Sequence, residues 1–235
     1  LYLVGGAVRD HFLGKEVKDY DFTTSATPEE ILKVFPNGYY NNQFGTVGIA
    51  LDNNQIIEIT TMRRETGYSD SRHPDEVQWT TDINEDLKRR DFTINAMAIE
   101  LTNSQSQTII DPFNGQSDLA EKLIRAVGDP DTRFHEDALR LLRAIRFATT
   151  LDFKIHDITF QSIFHNHHLI QQISWERIRD ELLKIIAATD PLKGVELLKE
   201  AQLLNDILPE VIKCFGVMQE GPKHDRVYDI GHHSF

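Results

Sequence analysis

Apolar and polar residues alternate in short runs over the first half of the chain, then recur at helical spacing beyond Gly128-Asp129-Pro130. Leu1 to Val4 is an apolar strand running into Gly5-Gly6, a short helix-like segment from Ala7 to Leu13, and a second strand carrying Asp19 and Asp21. Thr27-Pro28-Glu29-Glu30 opens a helix with a Thr cap, Pro at its first position and acids in its first turn. Ile31, Leu32 and Phe35 form its apolar face, and Pro36-Asn37-Gly38 ends it. Gly45 to Leu51 and Gln55 to Thr61 are two strands joined by a turn at Asp52-Asn53-Asn54. In the second of them Ile57 and Ile59 point one way, Glu58 and Thr60 the other. Phe92, Ile94 and Ala96 alternate with polar neighbours, as in a half-buried strand, and Asp111-Pro112-Phe113-Asn114-Gly115 makes a turn leading to Asp118-Leu119. Between these runs, MRRETGYSDSRHPDEVQW, Met62 to Trp79, has no sustained period and the charge, Gly and Pro content of a mobile surface loop.

The second half is helical. Arg133 to Thr149, RFHEDALRLLRAIRFAT, forms one helix that buries Ala138, Leu141, Leu142, Ile145 and Ala148. Asp137, Arg140 and Arg143 lie at successive steps of three, and Arg146 continues the row. Ser174 to Ala188 is a further amphipathic helix with a Ser cap, and Pro191 to Leu204 continues the helical half. The predicted class is therefore α+β: a head of small mixed sheet and helices over 1–125, an all-helical neck over 126–190, and the start of a helical body over 191–235.

Composition narrows the class. Hydrophobic content of 40% and charged content of 26% are those of a soluble globular protein of 235 residues. No run of roughly 18 apolar residues suggests a membrane span, and no basic-then-apolar leader opens the chain. The single cysteine, Cys214, forms no internal disulfide and fits a reducing cytoplasm. A net charge of -12 argues against a protein that coats nucleic acid nonspecifically, so RNA would need a local basic patch or parts outside this chain.

The chemistry concentrates in the opening stretch. Gly5 and Gly6 lack a Cβ, so the backbone can bend sharply and bring N–H groups close to an anion. Asp19 and Asp21, two apart on a strand, share a face with Cα atoms about 6.5 Å apart. Two such carboxylates repel unless a cation joins them, and hard oxygen donors suit Mg²⁺, which takes one or two carboxylates plus substrate phosphates. A Gly-Gly pair alone is an ordinary turn, and Asp-x-Asp alone is a solvated loop; here they are joined, with Arg9 and Asp10 between them.

At this spacing the stretch resembles the nucleotidyltransferases of the DNA polymerase beta superfamily. More narrowly, GGAVRDHFLGKEVKDYDFTT is similar to the signature of the bacterial tRNA CCA-adding enzymes and bacterial poly(A) polymerases. RRDFTINAMA, Arg89 to Ala98, matches a second family pattern, RRDxTINAMA, and EDALRLLRAIRFA resembles a third, EDxxRxxR. The resemblance implies template-independent addition of CMP and AMP, from CTP and ATP, to the 3′ end of tRNA, with Mg²⁺ on Asp19 and Asp21 and release of pyrophosphate. Gly6, Arg9 and Arg90 would orient the triphosphate. Glu58 would be a third carboxylate that helps activate the attacking hydroxyl, although its position equally suits a solvated strand residue.

In the third motif the implied roles are base reading for Asp137 and Arg140, and holding or orienting the nucleotide for Arg143 and Arg146. A carboxylate only accepts hydrogen bonds and a guanidinium only donates. Cytosine and adenine share an exocyclic amino donor beside a ring-nitrogen acceptor, whereas uracil and guanine offer a carbonyl there, so such a pair admits CTP and ATP and rejects UTP and GTP. An exposed helix with intrahelical ion pairs accounts for the same composition. Glu176-Arg177 falls at the family's next motif, with a packing and helix-positioning role, and Asp118-Leu119 at a structural one. Residues 62–79 stand where the family has a flexible loop linked to the switch from adding C to adding A.

Family members carry residues before Leu1 and after Phe235, so the chain is expected to be a fragment. His224, Tyr228-Asp229-Ile230 and His233 resemble the opening of an HD metal-phosphohydrolase domain whose HD doublet would lie beyond Phe235. Two rivals remain at this point: a poly(A) polymerase using ATP only, and a noncatalytic nucleotide-sensing or RNA-binding module.

Overall fold

The computed structural model describes residues 1–17, 19–40, 44–51, 56–68, 74–102, 108–217 and 229–234. The chain forms two compact units, one built mainly from residues 1–128 and the other from 122–124 and 129 onward.

In the first unit the chain runs β1 (Tyr2–Val4), α1 (Gly6–Phe12), β2 (Asp21–Thr24), α2 (Pro28–Val34), β3 (Tyr39–Tyr40), β4 (Thr46–Ala50), β5 (Ile56–Thr61), β6 (Arg63–Thr66), β7 (Glu76–Trp79), α3 (Ile83–Lys88), β8 (Ala98–Glu100), β9 (Thr108–Ile110) and α4 (Gly115–Ala120). Among the described residues, seven strands make one sheet in the order β3-β4-β5-β2-β1-β8-β9. β2 and β5 are parallel and the other neighbours antiparallel. The predicted start of α2 is present as a capping box, Thr27 Oγ1 accepting from Glu30 N while the Glu30 carboxylate accepts from Thr27 N. Strand alternation sorts the core. Phe22, Ile57, Ile59, Val47 and Ile49 gather around Ile31 of α2, while Val4, Ala98 and Met62 pack with Ile83 and Leu87 of α3. Full burial of a side chain such as Leu87 or Met62 contributes about 1.5–3 kcal/mol.

Three expectations need correcting here. Residues 92–96 are not a strand: Phe92 makes a single bridge to Ala126, and Thr93–Asn95 is a 3₁₀ turn leading to β8. The polar neighbours that suggested alternation are themselves buried, with Thr93 Oγ1 donating to Asp118 at 2.6 Å and Asn95 Nδ2 donating to Asp91 at 3.2 Å. Within 62–79, Arg63–Thr66 and Glu76–Trp79 pair as an antiparallel ribbon; residues 69–73 lie outside the described residues. Two of its charges fold inward, for Glu65 binds both Arg63 and Arg89 and accepts from Tyr68. Finally, Asp19 precedes β2 rather than sharing it with Asp21, so the strand-based spacing of the two acids does not apply.

In the second unit, β10 (Leu123–Ile124) pairs in parallel with β11 (Lys154–Ile155), and helices α5 (Pro130–Glu136), α6 (Leu139–Thr150), α7 (Asp157–Asn166), α8 (Trp175–Ile186), α9 (Pro191–Glu200), α10 (Leu203–Ile207), α11 (Pro209–Ile212) and α12 (Ile230–Ser234) follow. The expected helix over 133–149 is two helices. Asp137 adopts φ -146° and ψ 102° between them, and its carboxylate accepts from Leu139 N at 3.1 Å, a cap for the helix that follows. The expected core holds nonetheless: Ala138, Leu141, Leu142, Ile145 and Ala148 are all fully buried. Ser174 precedes α8 without making a side-chain cap bond. His224 and Tyr228 lie outside the described residues; Asp229 caps α12, its pKa drawn down to about 2 by hydrogen bonds from the His232 and Gly216 N–H groups.

Candidate active site

The turn between β1 and α1 is built for close approach. Gly5 has φ +71° and ψ -137°, a conformation that L side chains rarely adopt. A Cβ there would lie 3.1 Å from Arg90 Nη1 and 3.5 Å from Asp21 Oδ2, and one on Gly6 would lie 3.4 Å from Arg9 Nη2. Two guanidinium groups, drawn from the first and second sequence motifs, thus flank the Gly5-Gly6 turn beside an acid. Gly5→Ala is therefore expected to destabilise the chain by about 1–3 kcal/mol, since the strained φ and the displaced Arg90 act together; a thermal melt would measure the loss.

Each arginine is held by named partners. Arg90 follows α3, and its Nη2 reaches Asp86 Oδ2 at 3.4 Å, while Arg89 Nη2 donates to Asp86 Oδ1 at 2.8 Å. Burial works to raise the Asp86 pKa, but the two arginines outweigh it and hold the carboxyl below its ordinary range. Arg90 Nε is buried and, among the described residues, has no hydrogen-bond partner. Arg9 donates from Nε and Nη2 to the two oxygens of Asp10, each at 2.9 Å, and from Nη1 to Asn95 Oδ1 at 2.9 Å.

The acids converge electrostatically. Asp21 lies in register between Val4 of β1 and Glu58 of β5. Burial raises the Asp21 pKa most; Arg90 opposes it, and the charges of Glu58 and Asp19 add to it. Asp19 is exposed in the segment before the strand, yet near enough to be felt. Among the described residues no three His, Cys, Asp or Glu side chains form a ready metal cage. Asp86 and Asn95 were given no role of their own by sequence reasoning. The one signal available was the placement of Thr93 and Asn95 as polar residues inside an otherwise apolar run.

In the second unit the row expected to read the base has separate partners. Asp137 Oδ2 accepts from Arg177 Nη2 at 3.0 Å, and Arg140 Nη1 donates to Glu136 Oε2 at 2.6 Å and to the Arg133 carbonyl at 3.1 Å. Arg143 and Arg146 both lie over the Phe147 ring, at 5.4 and 4.1 Å, and Arg146 Nε is 3.1 Å from the carboxylate of buried Glu181. Arg146 is thereby tied to α8. Arg177, expected only to position a helix, touches Asp137 directly, and its Nη1 is buried with no hydrogen-bond partner among the described residues.

The family model described as the Poly A polymerase head domain matches residues 1–125, more than half of the chain. The chain belongs to this polymerase family. A second model, described as the "Probable RNA and SrmB- binding site of polymerase A", matches residues 152–215. Among curated relatives in the family, the CCA-adding enzyme of Lactobacillus helveticus is 46% identical over 207 residues, 88% of this chain and 51% of the relative. That of Enterococcus faecalis is 47% identical over 195 residues, 83% of this chain and 47% of the relative. Among solved structures, the Bacillus stearothermophilus CCA-adding enzyme in complex with CTP superposes with a TM-score of 0.77 at 38% identity, covering 86% of this chain and 48% of that one. The Thermotoga maritima CCA-adding enzyme complexed with tRNA gives 0.73 at 30% identity, covering 94% and 49%. The chain thus spans about half the length of the relatives it matches. Among the described residues no helix is long and apolar enough to cross a membrane.

Proposed function

We propose that this chain carries the catalytic and base-selecting parts of a CCA-adding enzyme, which adds CMP and AMP from CTP and ATP to the 3′ end of tRNA and releases pyrophosphate. The observation that carries the reading is the pair of guanidinium groups, Arg9 and Arg90, flanking the Gly5-Gly6 turn with Asp21 beside it. Fixed cations at a backbone that permits close approach suit a triphosphate. Curated relatives named CCA-adding enzymes, and related structures holding CTP, ATP and tRNA, point the same way.

The donor set fits a divalent cation. Asp19 and Asp21 offer hard oxygens, Glu58 stands in register with Asp21, and a cation would relieve both the burial that chiefly raises the Asp21 pKa and the charges of Glu58 and Asp19 that add to it. Mg²⁺ needs only one or two carboxylates when substrate phosphates complete its shell. Bound there, it would lower the pKa of the tRNA 3′-hydroxyl and stabilise the departing pyrophosphate. Arg9 and Arg90 hold the triphosphate, Glu58 accepts the hydroxyl proton, and Asp137 with Arg140 selects bases that present an amino group where uracil and guanine present a carbonyl.

Incubating the chain with tRNA lacking its CCA end and each labelled nucleotide in turn tests the reading. CMP is expected from CTP on that acceptor, followed by AMP from ATP. AMP without prior CMP would identify a poly(A) polymerase instead, and nucleotide binding without any incorporation would point to the noncatalytic sensor.

A further inference from the structure

We propose that Asn95 is a positioning residue for Arg9, fixing its guanidinium at the Gly5-Gly6 turn so that it meets the triphosphate already oriented. The inference rests on the reading of Arg9 as a triphosphate ligand and adds a residue from a different motif to it. The carboxamide of Asn95 has an acceptor at one end and donors at the other. Its Oδ1 accepts from Arg9 Nη1 at 2.9 Å, and its Nδ2 donates to Asp91 Oδ1 at 3.2 Å, which also accepts from Phe92 N at 2.8 Å. A guanidinium only donates and a carboxylate only accepts, so the two partners leave one workable orientation for the amide.

Neighbouring residue types cannot replace it. Aspartate at 95 would set a carboxylate against Asp91, and leucine would remove the bond to each partner. Asn95 and Asp91 are 6% and 8% exposed, so little water is available to stand in for the missing bonds. The second anchor on Arg9, Asp10, is its sequence neighbour and moves with the same helix. Asn95, 86 positions away, ties the guanidinium to a different part of the unit. Gly6 lies against the same group, for a Cβ there would touch Arg9 Nη2 at 3.4 Å. An arginine held on two sides before the ligand arrives has less rotamer freedom to lose on binding.

The test compares CTP with CMP, which lacks the outer phosphates, by calorimetric titration of the wild-type chain, Asn95→Ala, Arg9→Ala and the double variant. Asn95→Ala is expected to weaken CTP about tenfold while leaving CMP within about twofold, and to add nothing to Arg9→Ala. Equal weakening of CTP and CMP by Asn95→Ala would mark a purely structural residue and overturn the inference, as would additive losses in the double variant. If Asn95→Ala does not fold, Asn95→Asp carries the same test. It keeps the side-chain volume but replaces the donor to Asp91 with a like charge, which displaces the anchor on Arg9, and an unchanged CTP-to-CMP ratio there would also overturn the inference. Should Arg9→Ala leave that ratio at the wild-type value, the triphosphate reading of Arg9 itself fails; a ratio changed by Arg9→Ala but not by Asn95→Ala rejects the role of Asn95 alone.

Discussion

Asp21→Asn is expected to lower CMP transfer from CTP about a hundredfold or more, the scale of losing one preorganised charge-stabilising group, while leaving the chain at least as stable near neutral pH. The two effects share a cause. Burial, assisted by Glu58 and Asp19 and opposed by Arg90, raises the Asp21 pKa above its ordinary 3.8. A carboxyl whose folded pKa exceeds its unfolded one binds a proton more readily when folded. It therefore favours the folded state below its unfolded pKa and loses that contribution as pH rises through the folded value. At neutral pH the ionised side chain is a cost to folding, and asparagine removes it. Arg90 is not stranded by the change, since Asp86 still accepts from it. Thermal melts of wild type and variant from about pH 4 to pH 7 should show the variant's advantage growing with pH. Added Mg²⁺ should raise the wild-type melting temperature and leave the variant nearly unmoved. A variant that transfers CMP normally would remove Asp21 from the chemistry. One that melts lower than wild type throughout would mean that its carboxylate supports the fold.

The strands and the core of the helical half were legible because both depend on apolar period. Ile57 and Ile59 pack under α2 as their alternation required, and Glu58 on the opposite phase pairs in register with Asp21. What was not legible depends on polar side chains that fold inward. Thr93 and Asn95 look like the outward positions of a strand to any rule that scores only hydrophobicity, yet they are buried because Asp118, Asp91 and Arg9 satisfy them. Arg63 and Glu65 look like loop charges for the same reason, although they bind each other and Glu65 binds Arg89. The break at Asp137 was hidden by a helical period that runs across it. An aspartate that caps the next helix with its own side chain interrupts the backbone without disturbing the apolar face. Gly5 is a different case, for either glycine of the pair could have carried the unusual φ, and only the folded backbone, with φ +71° at Gly5, distinguishes them.

The choice of base should depend on an arginine outside the EDxxRxxR row. Asp137 is fixed at both oxygens, Oδ1 by Leu139 N and Oδ2 by Arg177 Nη2, so its carboxylate plane is set before any nucleotide arrives. A carboxylate paired with a guanidinium presents acceptors only, which matches the amino groups of cytosine and adenine and repels the carbonyls of uracil and guanine. Asp137→Asn keeps a side chain able to cap α6 but adds donors. The preference for CTP over UTP is then expected to fall roughly a hundredfold or more, because the penalty for an unmatched carbonyl disappears. Arg177→Ala leaves the carboxylate charged but released on one side, and the same preference should fall about tenfold, with a smaller change in kcat for CTP itself. Measuring kcat/KM for all four nucleotides separates these outcomes from loss of structure. If Asp137→Asn lowers all four equally, the aspartate serves only the helix start, and selection must lie elsewhere. If Arg177→Ala changes rate but not preference, the Asp137 carboxylate keeps its orientation through the Leu139 bond alone.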